Sequence, residues 1–226
     1  KSKTLYYRDA SLEIGGVPVF WTPYFSYPDP SVKRRTGFLI PSVKYGGAYG
    51  VGVTTPYFWD LAPNADITFS PRWMTHQGVL ADIELRHRLT SGMYSVRGYG
   101  TYELSPGRTN ESNRWRGAVE SDGNFRLNDT WSWGWDATLT SDRSFLDDYD
   151  VDNSDLATST VYVTGLADRN YASAQALHYR TLIEEENQGV MPVVLPYVNA
   201  SYYFDQPVFG GELGFERLNL RSKNEP

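Results

Sequence analysis

Apolar and polar residues alternate one by one over long stretches of this chain. Between residues 130 and 140, one set of alternate positions carries Thr, Ser, Gly and Asp, and the other set carries Trp131, Trp133, Trp135, Ala137 and Leu139. Successive side chains of a β-strand point to opposite faces of its sheet, so this alternation predicts a strand. The same period of two recurs in 79–89, 94–104 and 114–126. The pattern predicts an all-β fold.

The predicted strands are unusually long, at roughly 10 to 13 residues. Strands of globular proteins usually have about five or six residues, whereas a tilted strand that crosses a bilayer needs about 9–11. Their polar faces carry dense mixed rows of Arg, Asp and Glu, which suit a water-filled barrel lumen. We expect about eleven long antiparallel strands of a large outer-membrane β-barrel between Gly37 and Leu220, and no convincing helix.

Connections between the predicted strands alternate in length. Short ones fall near 90–92, 127–129 and 168–170, and longer ones near 105–112, 141–157 and 184–190. Outer-membrane barrels have short periplasmic turns and long extracellular loops, so the alternation favours the same architecture.

The first 35 residues follow a different pattern. Two short apolar runs, Leu12–Ile14 and Val17–Trp21, are joined by Gly15 and Gly16. Several prolines and a Lys-Arg-Arg run at 33–35 follow, which predicts a boundary. We expect 1–35 to be the C-terminal end of a larger β domain, because this segment is too small to bury a core alone. Residues 36–226 would then contain the long barrel strands.

Composition narrows the class of protein further. Aromatic residues make up 15% of the chain, with 7 Trp and 17 Tyr, as expected for the aromatic girdles of a membrane barrel. The absence of Cys excludes disulfides and thiolate metal sites within this stretch. The net charge of -6, without a basic stripe, argues against a nucleic-acid partner. Trp131, Trp133 and Trp135 are expected in a lipid-facing girdle, with a sugar-stacking platform as the alternative.

Four motifs occur in order along the chain. They are VPVFWTPYF at 17–25, RTGFLIP at 35–41, PYFW at 56–59 followed by APNAD at 62–66, and SDRSFLDDY at 141–149. Together they resemble the LptD family of lipopolysaccharide-assembly proteins. The resemblance implies that residues 1–35 end a periplasmic β-jelly-roll. That family's barrel is larger than eleven strands, which implies that residues 36–226 form only the N-terminal part of the transmembrane barrel. The family's better-known members use cysteines that this stretch lacks.

The resemblance also implies a function. The family forms a translocon in the bacterial cell outer membrane that receives lipopolysaccharide and inserts it into the outer leaflet through a lateral gate. Expected partners are lipopolysaccharide, outer-membrane lipids, an LptE-like lipoprotein plug in the lumen and an LptA-like periplasmic bridge that contacts the jelly-roll domain. No enzymatic activity, cofactor or metal is implied. A general porin is the alternative function, although a porin would lack the segment Val17–Pro41.

Pro41 and Pro56 are the candidate gate residues. Proline has no backbone N–H, so it removes a hydrogen bond from a strand ladder. The two prolines are 15 positions apart on the first and second predicted barrel strands. A hairpin through Gly46, Gly47 and Ala48 would place both in its periplasmic half. The resemblance favours a weakly paired gate, and the alternative is that they only start and end strands.

Arginines share the polar strand faces with acidic residues. They are candidates for a lumen path that guides an anionic glycolipid, or for a structural charge ladder, in which paired charges hold neighbouring strands together. The charge ladder is the favoured interpretation. The residues are Arg72, Arg86, Arg88, Arg97, Arg114 and Arg116, with Arg126 on the same pattern.

Two further sets of residues carry side chains that can bind metals or take part in catalysis. The acidic run from Asp147 to Asp155 lacks the Gly and Glu of a calcium-binding loop, so we expect a solvated extracellular loop, with a divalent-cation site as the alternative.

The histidines are His76, His87 and His178, none within a catalytic motif. An acyl hydrolase would need one of them beside Ser or Asp on a neighbouring strand.

Overall fold

A computed structural model describes residues 4–28, 34–103, 115–151, 156–182, 193–204, 206, 209–219 and 222–223. These residues form 17 strands and one short helix, and the strands pair antiparallel in two sheets. The all-β prediction is confirmed. Within these ranges, no helix has the length and apolar character needed to cross a membrane.

The first sheet is a hairpin of two strands, β1 (Thr4–Ile14) and β2 (Val17–Pro28). Gly15 and Gly16 form its turn, with φ of 60° and 81°. Two successive residues with positive φ are typical of the tight turn whose twist matches the two strands, and glycine adopts this conformation without strain. The predicted connection is confirmed, although the strands are longer than the two short apolar runs suggested.

The second sheet contains fifteen strands. The strands are β3 (Gly37–Phe38), β4 (Ser42–Gly46), β5 (Gly50–Thr54), β6 (Tyr57–Ala62), β7 (Ala65–Phe69), β8 (Arg72–Met74), β9 (Gly78–Arg88), β10 (Gly92–Tyr102), β11 (Trp115–Arg126), β12 (Trp131–Thr140), β13 (Leu156–Ala167), β14 (Asn170–Thr181), β15 (Val193–Tyr203), β16 (Gly214–Asn219) and β17 (Ser222–Lys223).

The fifteen strands occupy eleven positions across the sheet, as predicted. Strands β9 to β15 are continuous, and β16 and β17 both pair with β15 in the last position. The first three positions depart from the prediction of long strands, because each is divided into two short ones. β3 and β4 share the first position, β5 and β6 the second, and β7 and β8 the third.

Connections lie at two opposite ends of this sheet. The predicted short turns are confirmed at one end, which we call the turn end, by connections at 63–64, 89–91, 127–130 and 168–169. The other end, the loop end, has turns at 47–49 and 75–77 and a long connection at 141–155. The predicted long loops at 105–112 and 184–190 lie outside the described residues. Connection 141–155 contains α1 (Phe145–Asp148), so the expectation of no helix was wrong by one turn.

The sheet has one polar face and one apolar face, as the alternation predicts. Arg97 lies opposite Glu84 on one neighbouring strand and Glu120 on the other. The apolar face carries exposed large side chains such as Ile83, Val119 and Leu139. The buried hydrophobic cluster lies on the polar face, beneath the loop that contains α1. Its members are Tyr49, Met74, Leu80, Tyr99, Ala118, Phe145, Leu146 and Tyr149.

Rings line the apolar face near both ends of the sheet. Near the turn end, Phe125 stacks on Trp133 and Trp135, with ring centroids 5.5 and 5.7 Å apart. Near the loop end, Tyr102 and Trp115 meet edge to face at 5.1 Å. The ring of Trp135 covers Gly123 directly opposite on β11, where a Cβ atom would lie 2.5 Å from the ring. Glycine is therefore required there for this ring position.

Candidate functional site: the proline row and the loop behind it

Three prolines lie at the breaks in the first three positions of the large sheet. Pro41 falls between β3 and β4, Pro56 between β5 and β6, and Pro71 between β7 and β8. They are 15 residues apart along the sequence. Since none of them can donate a backbone hydrogen bond, the ladder is interrupted at the same level in three adjacent positions. We call these residues the proline row.

Single backbone hydrogen bonds join the strands at the breaks. Leu39 N donates to Pro56 O at 2.9 Å, and Thr55 N donates to Pro71 O at 3.1 Å. Ser70 N donates to Asp82 O of β9 at 2.7 Å. β9 runs without a break through Asp82, so the row of interruptions ends at this strand.

The predicted hairpin between Pro41 and Pro56 is confirmed. β4 and β5 pair from Ser42–Thr54 to Gly46–Gly50, and the two prolines flank the open side of this hairpin. However, β3 and β6 continue beyond the prolines toward the turn end. The prolines therefore lie at the middle of the first two positions rather than in one half. A gate at these prolines stays a prediction.

Sequence reasoning missed Pro71. The signal was present, because Pro71 repeats the 15-residue spacing that separates Pro41 from Pro56. Pro71 belongs to the row because β7 and β8 occupy one position of the sheet, which the sequence did not indicate. The interruption is thus wider than two strands.

Arg34 fixes the point where the chain enters the large sheet. Its guanidinium donates to Pro63 O at 2.7 Å, to Ala65 O at 3.2 Å and to the Asp66 carboxylate at 2.7 Å. It also lies 3.1 Å from the Asp60 carboxylate. These contacts surround the turn between β6 and β7, so the chain joins the sheet at the turn end, beside the broken strands.

Residues 141–151, which we call the inner loop, cover the polar face behind the broken strands. Phe145, Leu146 and Tyr149 of the loop are fully buried. They pack in one cluster with Tyr49 from the turn between β4 and β5 and with Met74 at the end of β8. Apolar contact therefore joins the inner loop to the broken strands.

Arg116 of β11 is the polar centre of the inner loop. Its side chain is 4% exposed. It forms ion pairs with Asp142 at 2.6 Å and Asp148 at 3.0 Å, and it donates to Ser144 Oγ at 2.9 Å. Glu103 lies 3.4 Å away on its other side. A buried guanidinium needs such partners, because an unpaired buried charge is strongly destabilising.

The expectation of a solvated acidic loop was wrong for Asp148. Asp148 is 8% exposed and paired with Arg116, and Asp150 lies 2.7 Å from Lys44 Nζ of β4. Asp148 thus compensates a buried cation, whereas Asp147 is exposed and the Asp150 side chain is 40% exposed. Among the described residues, no group of three or more His, Cys, Asp or Glu could hold a metal. Asp152 and Asp155 lie outside those residues, so the cation-site alternative stays a prediction.

The surroundings of the inner loop shift the pKa of two of its residues. Burial opposes ionisation of Asp142, but hydrogen bonds from Arg116 and Ser141 outweigh it and hold the pKa of its carboxyl below the ordinary value. Burial raises the pKa of Tyr149 to about 12. Asp142 is therefore ionised and Tyr149 neutral at physiological pH, which suits a fixed ion pair beside a packed phenol.

The other arginines mostly pair along the polar face. Arg86 donates to Asp66 at 2.8 Å, and Arg97 forms two hydrogen bonds with Asp82 at 2.9 and 2.8 Å. Arg72 donates to the backbone oxygen of Tyr149. Arg88 is exposed at the turn end, and Arg114 lies outside the described residues. These pairs favour the charge-ladder interpretation, and a glycolipid path stays a prediction.

Hydrolase geometry is not assembled around the histidines in the described part of the chain. Ser159 lies opposite His178 on the adjacent strand, the placement that such an enzyme would need. However, no hydrogen bond joins Ser159 to His178 in the described structure, and Ser159 Oγ accepts one from Thr138 N at 3.3 Å. His87 lies 3.3 Å from the Tyr94 hydroxyl instead of a nucleophile.

Comparison with known proteins matches this chain to one family. The family model described as LptD, LPS transport system D, matches residues 114–226, which include the SDRSFLDDY motif and the inner loop. The chain belongs to the LptD family. The resemblance drawn from the four motifs is thereby confirmed.

Several relatives of the LptD family align with nearly all of this chain. It is 32% identical to the LPS-assembly protein LptD of Sodalis glossinidius (strain morsitans), over 93% of this chain and 28% of the relative. It is 29% identical to the protein of the same name from Pectobacterium atrosepticum, over 93% of this chain and 28% of the relative. It is 29% identical to the LPS-assembly protein LptD of Vibrio vulnificus (strain YJ016), over 95% of this chain and 27% of the relative. The chain thus spans little more than a quarter of the LptD relatives it matches.

Proposed function

We propose that this chain is part of an outer-membrane translocon for lipopolysaccharide, in which the proline row forms a lateral gate. The family assignment supports a role in handling lipopolysaccharide, since the relatives are LPS-assembly proteins by name. Residues 36–226 would form the N-terminal part of a transmembrane barrel. The role is transport without catalysis and without a cofactor.

The dimensions of the continuous strands support a bilayer crossing. Tyr94 and Tyr102 lie eight residues apart on β10, close to the two aromatic rows of the apolar face. At about 3.4 Å per residue, the rows are about 27 Å apart along the strand, which is about 21 Å in height for a strand tilted by about 40°. Outer-membrane barrels have an apolar band about 25 Å tall between two aromatic girdles. The exposed apolar face then contacts lipid, and the polar face lines the lumen.

The two ends of the sheet suggest the orientation. Short turns of such barrels face the periplasm, so the turn end is periplasmic and the loop end lies at the cell surface. Residues 1–35 precede the turn end, where Arg34 fixes the entering chain. We therefore place 1–35 in the periplasm as the end of a jelly-roll domain, reached by an LptA-like bridge. An LptE-like lipoprotein would occupy the lumen against the polar face.

The proline row is the observation that carries the gate. Backbone groups in a lipid-facing wall have no water to compensate a lost hydrogen bond, so complete ladders are normally required. Three adjacent interruptions make this a weakly bonded part of the described sheet. They lie beside the point where the chain arrives from the periplasmic segment. An acyl chain delivered there can leave sideways into the membrane while the sugar stays in the polar lumen.

Proline replacement in the full-length protein tests this proposal. Pro41→Ala, Pro56→Ala and Pro71→Ala together restore three backbone donors and should slow the arrival of lipopolysaccharide at the cell surface at least several-fold. The matched control is Pro196→Ala, since Pro196 lies in β15 near a register shift away from the row. Normal delivery at normal protein level in the triple variant would reject the gate. A general porin would show unchanged surface lipopolysaccharide in both variants.

A further inference from the structure

The loop-end halves of the broken strands form a small unit with limited support from the sheet. We call β4, β5 and β8 the flap. Its ladder to the continuous strands runs through β8, which pairs with β9 at Arg72–Leu80, Trp73–Val79 and Met74–Gly78. Toward the turn end, the flap meets the proline row. Side-chain contacts on the polar face therefore do much to hold the flap in its position.

The inner loop contacts the flap at three points. Asp150 pairs with Lys44 of β4 at 2.7 Å. The backbone oxygen of Tyr149 accepts a hydrogen bond from Arg72 of β8. Tyr49, between β4 and β5, is buried in the cluster that contains Phe145 and Tyr149.

The other end of the inner loop is anchored on a continuous strand. Ser141 N donates to Gly117 O of β11 at 2.8 Å, and Gly117 N donates to Ser141 Oγ at 3.0 Å. Arg116 beside them holds Asp142 and Asp148 through its buried ion pairs. The guanidinium also lies 5.4 Å from the centre of the Tyr149 ring. Arg116 thus positions the residue that contacts the flap.

We propose that the inner loop is an internal strap that holds the flap shut, and that Arg116 is its positioning residue. The strap has a firm end and a releasable end. At the firm end the ion pairs are buried, where breaking them is costly. At the releasable end, the side chains of Lys44 and Asp150 are 50% and 40% exposed, and an exposed pair of this kind is easily separated.

Opening of the strap would let the flap move about the proline row. The effect of this opening on transport rests on the proposed gate. The strap itself does not depend on the gate. A cavity of about 850 Å³ lies between the flap turn and the inner loop, lined by residues such as Tyr49, His76, Glu103 and Asp147. Opening also separates Tyr49 from Phe145 and Tyr149 of the buried cluster, and the adjoining cavity gives the displaced side chains room.

A reversible crosslink tests whether the strap must open. In the full-length protein, Lys44→Cys and Asp150→Cys would be bridged by a short bis-methanethiosulfonate reagent, which a reductant removes. We expect at least a tenfold fall in lipopolysaccharide delivery after bridging and full recovery after reduction. The matched control bridges Ser95→Cys and Asp122→Cys, which lie opposite each other on the continuous strands β10 and β11. Unchanged delivery with 44 and 150 bridged would overturn a strap that opens during transport.

Hydrogen exchange tests the positioning role of Arg116 without any transport assay. Arg116→Gln should accelerate amide exchange at least tenfold both in 141–151 and in the flap strand 42–46, and Arg116→Lys should show a smaller effect. Arg97→Gln is the control, because Arg97 pairs with Asp82 and not with the inner loop. Faster exchange confined to 141–151 would refute the coupling to the flap. Faster exchange at both places would support the strap even if the proline variants transported normally and the gate proposal failed.

Discussion

Arg116 Nη2 and Asp148 Oδ2 lie 3.0 Å apart, both buried, and this ion pair joins strand β11 to the helix of the inner loop. The two residues are 32 positions apart in the sequence. Their pairing brings an acidic segment onto the polar face of the sheet, where it contacts the strands that the prolines interrupt. The proposed gate therefore includes the broken strands and also the side-chain contacts that the inner loop makes with them on the polar face.

Arg116→Met should lower the free energy of unfolding by about 3–5 kcal/mol, because it leaves buried carboxylates without their cation. Urea unfolding of the full-length protein in detergent measures this change. Arg97→Met is the matched control and should cost at most about 1 kcal/mol, since its ion pair is partly solvated. Equal losses for the two variants would contradict the central role assigned to Arg116.

Acid should release the inner loop below a defined pH. The pKa of Asp142 is lower in the folded protein than in an unfolded chain, where it is about 3.9. Its stabilising contribution is therefore present above about pH 4 and is lost as the pH falls further, toward the lowered folded value. Protection of 141–151 from proteolysis should be unchanged between pH 7 and 5 and decline below about pH 4. Asp142→Asn should reduce protection already at pH 7. If the variant were as well protected as the wild-type protein at pH 7, that would argue against this ion pair.

Gly123→Ala should displace the ring of Trp135 and destabilise the apolar face. The added methyl group would overlap the ring, and overpacking of this kind costs about 1–3 kcal/mol. The indole N–H of Trp135 would also lose its hydrogen bond to Ser121 Oγ, now 2.9 Å long. Tryptophan fluorescence and urea unfolding report both effects. Gly98→Ala is the control, because a Cβ atom there has no heavy atom within 4 Å, and it should have little effect.

The continuous strands could be predicted from sequence because each side of the sheet has its own environment. A period of two in β9 to β12 then reports the face of most residues. The broken strands were harder to predict. The effect of a proline depends on which neighbouring strand faces its missing N–H. The alignment of Pro71 with Pro41 and Pro56 depends on how the strands pair, which the sequence alone does not show.

The inner loop could not be predicted because its partners are distant in sequence. Asp148 reads as a solvated acid until the register places Arg116 beneath it. One local signal was available at Leu80, an apolar residue within the polar set of β9 that contains Asp82 and Glu84. Leu80 is 1% exposed under the inner loop, so an apolar residue on a polar strand face indicated that something covers that face.

Photo-crosslinking of newly made lipopolysaccharide tests the lateral gate most directly. A photoreactive residue would replace Ile40, whose side chain is 76% exposed beside Pro41 in the proline row. The control position is Val161, which is exposed on the apolar face of the continuous strand β13. We predict that pulse-labelled lipopolysaccharide forms adducts at position 40 before it reaches the cell surface, and not at position 161 in that interval. Equal labelling at both positions, or none at position 40 while delivery proceeds, would contradict passage through the proline row.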